Sequence, residues 1–215
     1  MSCYGSAVND RWLAWVRIGF ALLTLGAIAF QASNLIGEGI FNPTRFFLFF
    51  TILSNLLAAG VFLEGGRRQL AGAPPVPDLW RGLAVVAMTV TFIVFAVLLS
   101  DLQEQLQTNV VWVDTVLHRV MPVAVMADWL IEPPHGPLTF RRALVPWLVP
   151  PVAWTAFTLV RGAIDGWYPY PFLDPANGGY GTVALYAVAI TALLLGVIWL
   201  VATAGTALRA RRTSS

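Results

Sequence analysis

The chain has no lysine, one cysteine, two histidines and very little charge of either sign. Only 11 % of its 215 residues are charged, against about 25 % in an ordinary soluble domain. A soluble protein of this length needs a polar shell, and this sequence cannot build one. The single cysteine, Cys3, excludes an intramolecular disulfide and leaves the redox compartment open. His118 and His135, only one of them inside an apolar block, exclude paired axial haem ligands, and with one cysteine they make no closed zinc site. No glycine-rich phosphate loop follows a strand pattern. No internal repeat suggests a channel filter or a broken-helix transporter. A net charge of +2 is too small to point to nucleic acid. The apolar run after Arg11 is longer than a signal-peptide core and lacks an A-x-A cleavage site, so a secretory signal is not expected.

What is present is apolar sequence. Hydrophobic residues make up 58 % of the chain, and mean hydropathy is +0.72. The apolar residues fall into six blocks, at 12–35, 46–63, 83–99, 111–131, 143–160 and 183–206. A bilayer core of about 30 Å takes about 20 helical residues to cross. The blocks do not alternate as barrel strands do, and in lipid the backbone must satisfy its own hydrogen bonds. The expected fold is therefore an all-α integral membrane protein with six transmembrane helices in one domain spanning 1–215. The connections agree: "EGGRRQLAGAPPVPD", "EPPHGPLTFRR" and "RGAIDGWYPYPFLDPANGGYG" are rich in glycine and proline.

Arginine sets the expected orientation. Arg11 and Arg17 lie at the start, Arg67, Arg68 and Arg81 around the second connection, Arg141 and Arg142 at the fourth, and Arg209, Arg211 and Arg212 in the tail. The first and fifth connections have only Arg45 and Arg161 at their edges, and the third has Asp101 and Glu104. The positive-inside rule puts both termini in the cytoplasm. Thr51 and His118 then lie at similar depth, about 7–12 Å below the opposite surface at 1.5 Å per residue, and "YPYPFLDP" caps that side.

Thr51, Ser54 and Asn55 share one helix face. Such groups commonly glue membrane helices together or bond back to their own helix. In "WVDTVLHRVMPVAVMADWL", Asp114 lies one turn before His118, Arg119 follows directly, and Asp128 sits near the far end. Ionisable groups cost about 2.5–3.5 kcal/mol each inside a membrane, so they face partners or cavities. An Asp114–His118 or Arg119–carboxylate pair that fixes packing is the plain reading. The chemical one makes Thr51 a nucleophile and His118 its base, with Asp114 orienting the imidazole and Asn55 or Ser54 donating to an oxyanion. Trp167, Tyr168, Tyr170 and Phe172 form either an interfacial aromatic belt or a lid over the pocket, with Asp174 as a partner for His118 or for a substrate hydroxyl.

The set "FFTILSNLLAAGVF", "LHRVMP" and "GWYPYPFLDP" resembles the six-span bacterial membrane proteins related to the androgen-induced transmembrane hydrolases, over most of the chain from Phe46 onward. Eukaryotic members are threonine hydrolases that cleave fatty-acid esters of hydroxy fatty acids. Their nucleophile matches Thr51, followed three turns on by Phe62. Their essential histidine, shortly before a proline, matches His118. Their Y-P-F-L stretch matches Tyr170 to Leu173. The chain departs from the pattern in Ser54, a second hydroxyl beside Thr51, in Asp114 and Arg119, and in a one-residue difference in histidine–proline spacing.

The resemblance implies an intramembrane hydrolase of lipid-like esters in a bacterial cell membrane. Thr51 and His118 would be catalytic, Asp114, Asn55 and Ser54 supporting, and Arg119, Tyr170, Phe172 and Asp174 would contact substrate. No metal or organic cofactor is required, and a membrane lipid or lipid-like ester is the expected partner. The alternative is a non-enzymatic protein that binds or moves a lipid or small amphiphile through the same pocket. Nothing in the sequence sets an oligomeric state.

Overall fold

A computed structural model describes residues 4–102 and 110–213. Cys3 and Glu104, with the side chain of Arg212, lie outside the described residues. Among these the chain is all helix, with no strand. The long elements are α1 (Tyr4–Gly37), α3 (Phe50–Leu70), α4 (Asp78–Val94), α7 (Phe140–Asp165) and α8 (Gly179–Thr213). A short α2 (Pro43–Phe46) precedes α3, and α5 (Val111–Thr115) runs through a π turn (Val116–Val120) into α6 (Met121–Ile131). A second π turn, Phe95–Leu99, extends α4. The six apolar blocks thus coincide with six helical stretches.

Local chemistry sets several boundaries. Asn42 caps α2 by accepting from the Arg45 amide at 3.1 Å, and Pro43 takes the first helical position, where its missing N–H costs nothing. The Thr139 hydroxyl accepts from the Arg142 amide at the start of α7. At its far end Gly166 adopts φ 71°, the left-handed conformation glycine takes without strain.

Among the described residues four helices are long and apolar enough to cross a membrane: Arg11–Gly37, Asp78–Leu99, Phe140–Asp165 and Gly179–Arg211. The other two stretches are α3, which carries Thr51, Ser54, Asn55 and Glu64, and 111–131, which carries Asp114, His118, Arg119 and Asp128. The outer surface is apolar, with Trp12, Val111, Ile164 and Leu185 all exposed, as a lipid-facing surface requires. The Asp78–Leu99 helix is central: 61 % of its apolar window is buried, against 17–33 % for the other three.

Around α4 the core is packed by Met88, Met121, Trp147 and Ile198, each fully buried. The Trp147 indole donates to the Leu79 carbonyl at 2.8 Å. Its ring covers the Cα of Gly82, where a Cβ would run into the indole. Close approach of α4 and α7 therefore depends on glycine at this position.

At one end of the bundle an ionic cluster ties α1, α4 and α6 together. Asp128 uses both carboxylate oxygens, Oδ1 to Arg17 Nε at 2.6 Å and Oδ2 to Arg81 Nη2 at 3.2 Å. Arg17 also pairs with Glu132 and donates to Gln69 Oε1 at 3.0 Å. Arg81 donates to the Glu132 carbonyl at 2.6 Å. Arg17 and Arg81 are two of the charges that marked the expected cytoplasmic side. The fold buries them and spends them on neighbouring carboxylates, so among the described side chains Arg11, Arg67, Arg68, Arg141, Arg142, Arg209 and Arg211 are left to carry that bias.

Two outcomes follow from this packing. Gly82→Ala forces the buried Trp147 ring to move and lowers stability by about 1–3 kcal/mol; thermal unfolding of the purified protein reads this, and an unchanged midpoint refutes it. Burial alone would raise the Glu132 carboxyl, but Arg17, Arg81 and His135 outweigh it and hold its pKa below the ordinary 4.5. A carboxyl depressed in the folded state adds stability above its unfolded pKa and loses it as pH falls through the folded value. Stability should therefore decline below pH 4.5, and Glu132→Gln should flatten that part of the acid limb in a pH series of unfolding midpoints.

Candidate functional site

Phe49 is extended (ψ 125°), and α3 starts at Phe50 without a side-chain cap. Thr51 is thus in the first turn, where backbone N–H groups have no helical acceptor. The Tyr170 hydroxyl fills that role, accepting from the Thr51 amide at 3.3 Å, and it lies 3.4 Å from Thr51 Oγ1. A phenol that accepts a backbone hydrogen keeps its own proton to donate. Burial holds the Tyr170 pKa above the usual phenol range, against its hydrogen bonds with Thr51 and Phe50, so it stays protonated at neutral pH.

Tyr170 reaches this position from the loop between α7 and α8. Its ring stacks on Phe172 (5.2 Å between centroids) and meets Phe49 and Trp154 at an angle. Tyr168 packs over Gly162, where a Cβ would overlap the phenol ring. The aromatic segment therefore folds back onto the bundle as a lid.

The opposite wall comes from the 111–131 stretch. Pro122 has no N–H, and the Met121 amide bonds back to Val116 O in the π pattern. Leu117 O, whose π-pattern donor would be residue 122, is left without a helical partner. Asn55 supplies one, donating to Leu117 O at 3.1 Å and to Thr51 O at 2.8 Å. Both hydrogens of the Asn55 amide are committed to carbonyls, so it is not the oxyanion donor the sequence suggested. It binds α3 to the His118 turn instead.

His118 sits in that π turn, 3 % exposed. Its Nε2 is 3.2 Å from Thr51 Oγ1, and its Nδ1 is 2.9 Å from Asp114 Oδ1. A carboxylate at Nδ1 fixes the proton there and leaves Nε2 to accept from the threonine hydroxyl. Phe95, in the other π turn, stacks face to face on the imidazole with centroids 3.8 Å apart and planes 9° apart. The ring is thus held in one plane by apolar contact and in one rotation by Asp114.

Ser54 turns away from this set: its hydroxyl donates to Thr51 O at 3.1 Å and meets Thr91 Oγ1 at 3.0 Å. Of the two candidate hydroxyls, Thr51 is the one in reach of the imidazole. Arg119 is half exposed, 4.0 Å from Asp114 Oδ2 and over the Phe95 ring, where it offsets the carboxylate's charge. Asp174 is not brought to His118; its Oδ1 accepts from Ala176 N at 2.9 Å and caps a short turn. Phe172 lines a cavity.

That cavity, about 320 Å³, lies between α3, α4, α7 and α8. Thr51 and Tyr170 form its polar end, and Leu159, Ile190 and Leu194 extend its apolar wall. Val152 and Ala156, both exposed on the outer face of α7, also line it. It therefore opens sideways through the apolar surface. Sequence reading missed Phe95, which resembles any apolar residue of its block, and Thr91. No protein-family model, curated protein or solved structure matches the chain.

Asn55→Leu leaves Leu117 O buried without its donor, at about 1–3 kcal/mol, while Thr51 O keeps the Ser54 hydroxyl. A drop of several degrees in unfolding midpoint is expected, and a midpoint equal to the parent's excludes this role.

Proposed function

We propose that the protein is a six-span intramembrane hydrolase of lipid-like esters, with both termini cytoplasmic. The observation that carries the reading is the Asp114–His118–Thr51 chain, with contacts of 2.9 and 3.2 Å in a buried site that opens on an apolar cavity. A packing motif needs no ordered base on the hydroxyl and no cavity beside it. The resemblance to the androgen-induced transmembrane hydrolases points the same way, residue by residue, at Thr51, His118 and Tyr170 to Leu173.

In this mechanism Thr51 Oγ attacks the ester carbonyl while His118 Nε2 takes its proton. Asp114 stabilises the imidazolium that forms. The protonated Tyr170 phenol donates to the developing oxyanion, which forms beside the positive end of α3. The imidazolium returns the proton to the departing alcohol, leaving an acyl group on Thr51. Water then attacks that acyl carbonyl, His118 takes the water's proton and passes it to Thr51 Oγ, and the fatty acid leaves. The acyl chain lies in the 320 Å³ cavity, reached from the bilayer past Val152 and Ala156.

Turnover of a fatty-acid ester of a hydroxy fatty acid by detergent-purified protein tests the reading. Thr51→Ala and His118→Ala should each lose about 10²–10⁴-fold, and Tyr170→Phe about 10²–10³-fold in kcat. Ser54→Ala should stay within a few-fold of the parent. Fluorophosphonate labelling should require both Thr51 and His118. A protein that retains lipid but neither turns over ester nor labels is a binder, and that outcome overturns the proposal.

A further inference from the structure

The mechanism needs water at Thr51 once the acyl chain is in place, and the large cavity cannot supply it. That cavity is apolar, opens toward lipid, and is the space the chain itself occupies. A second space lies on the other side of the site. A chamber of about 40 Å³ has walls that are mostly apolar, with Gln31, Thr51, Asp114, His118 and Tyr170 as its polar groups, and is enough for one water at about 30 Å³ each. Thr51, Leu99 and Tyr170 border both spaces, whereas His118 and Asp114 border only the chamber. The base therefore faces open volume on the side away from the acyl chain.

Beyond the chamber lies a vestibule of about 120 Å³ at the end of the bundle, lined by Asn42, Arg45 and Trp167 among others. Asn42 and Arg45 are exposed, so this vestibule is wetted from the aqueous phase. Leu35, Phe46 and Phe49 line both vestibule and chamber, forming the one layer of side chains between them. Leu35 and Phe46 are buried core residues at 4 % and 5 % exposure. Phe49 differs: it is half-buried, stands on the extended residue before α3, and meets Trp167 and Tyr170 at 5.8 and 5.7 Å. Of the three it is the least enclosed side chain.

We infer that Phe49 gates a passage from the vestibule under Arg45 to the chamber, where Gln31 and His118 hold the water that hydrolyses the acyl-Thr51 intermediate. The inference rests on the proposed hydrolase reading for its chemistry and on cavity geometry for its route. Lipid and water then reach Thr51 through separate doors. Gln31 suits the task because its amide both donates to and accepts from water, and it is 3 % exposed with the chamber before it. In the step served, the water oxygen bonds to the acyl carbon, its proton goes to His118 Nε2, the carbon–Oγ bond breaks, and Oγ recovers the proton.

Two measurements test it. In a Cys3→Ser background, Leu35→Cys places a thiol at the wall shared by vestibule and chamber. Its reaction with a charged, membrane-impermeant methanethiosulfonate should be slow, at least tenfold faster with Phe49→Ala, and slower than the parent with Phe49→Trp. Intact-protein mass spectrometry during ester turnover should show acyl-Thr51 accumulating in Phe49→Trp and in Gln31→Leu, with the rate of acylation unchanged. Thiol reactivity that follows residue 49 without any acyl adduct sustains the passage and sinks the hydrolase. Acyl adduct whose breakdown and thiol reactivity both ignore residue 49 sinks the passage and leaves the hydrolase standing.

Discussion

The hydrogen bond from the Asn55 amide to the Leu117 carbonyl joins the two helices whose side chains meet at the site. It exists because Pro122 has no hydrogen to give and because an apolar interior offers no water as a substitute. The same amide holds Thr51 O, one residue's backbone from the hydroxyl at issue. A single side chain thus fixes the separation of the threonine and imidazole through two carbonyls. The π turn around His118 is the counterpart of this bond: the irregularity opens the carbonyl, and the amide closes it. Irregular helical turns of this kind are frequent at functional sites, and here the second one, at Phe95, supplies the ring that lies flat against the imidazole.

Among the described residues, the buried charged groups and the buried histidine fall in two places, toward opposite ends of the bundle. At one end Asp128 lies between two arginines, and the cluster joins α1, α4 and α6. Buried ion pairs of this kind add little net stability, yet removing one partner costs about 3–5 kcal/mol, because a charge is left alone. Such a cluster specifies how the helices meet more than how strongly they hold. At the other end the charge is lighter: one carboxylate faces a histidine and, from outside, Arg119. The contrast separates a fastening from a site with open volume beside it. In the first every strong charge has an opposite one within reach, whereas in the second a hydroxyl and an imidazole are left beside open volume.

Much of this was legible beforehand. The six apolar blocks became six helical stretches because length and composition alone decide where a chain so poor in charge can be helical. Thr51 and His118 were found from depth, since polar residues in apolar blocks are few and their distance from a block's end translates directly into height. The rest depended on rotation about helix axes and on hydrogen-bond accounting, neither of which one-dimensional spacing gives. Asn55 shares a face with Thr51, but only the π turn reveals that a carbonyl there needs a donor. Asp174 sits in the right loop yet turns its carboxylate onto its own backbone. Arg17 and Arg81 counted as surface charges until packing enclosed them. Gln31 had a usable signal, an amide within an apolar block, of the same kind that singled out Thr51.

The order of these residues along the chain has a further consequence. Thr51, Asn55, Asp114 and His118 all precede residue 120, while the outer wall of the large cavity and the aromatic lid come from α7, α8 and the loop between them. The bundle is in effect a half that carries the threonine–histidine set followed by a hairpin that walls the cavity and packs on α4 through Trp147 and Ile198. On the proposed reading, selectivity for chain length or branching lies with that final hairpin and can drift by changes on its cavity side, provided Tyr170 keeps its reach to the start of α3.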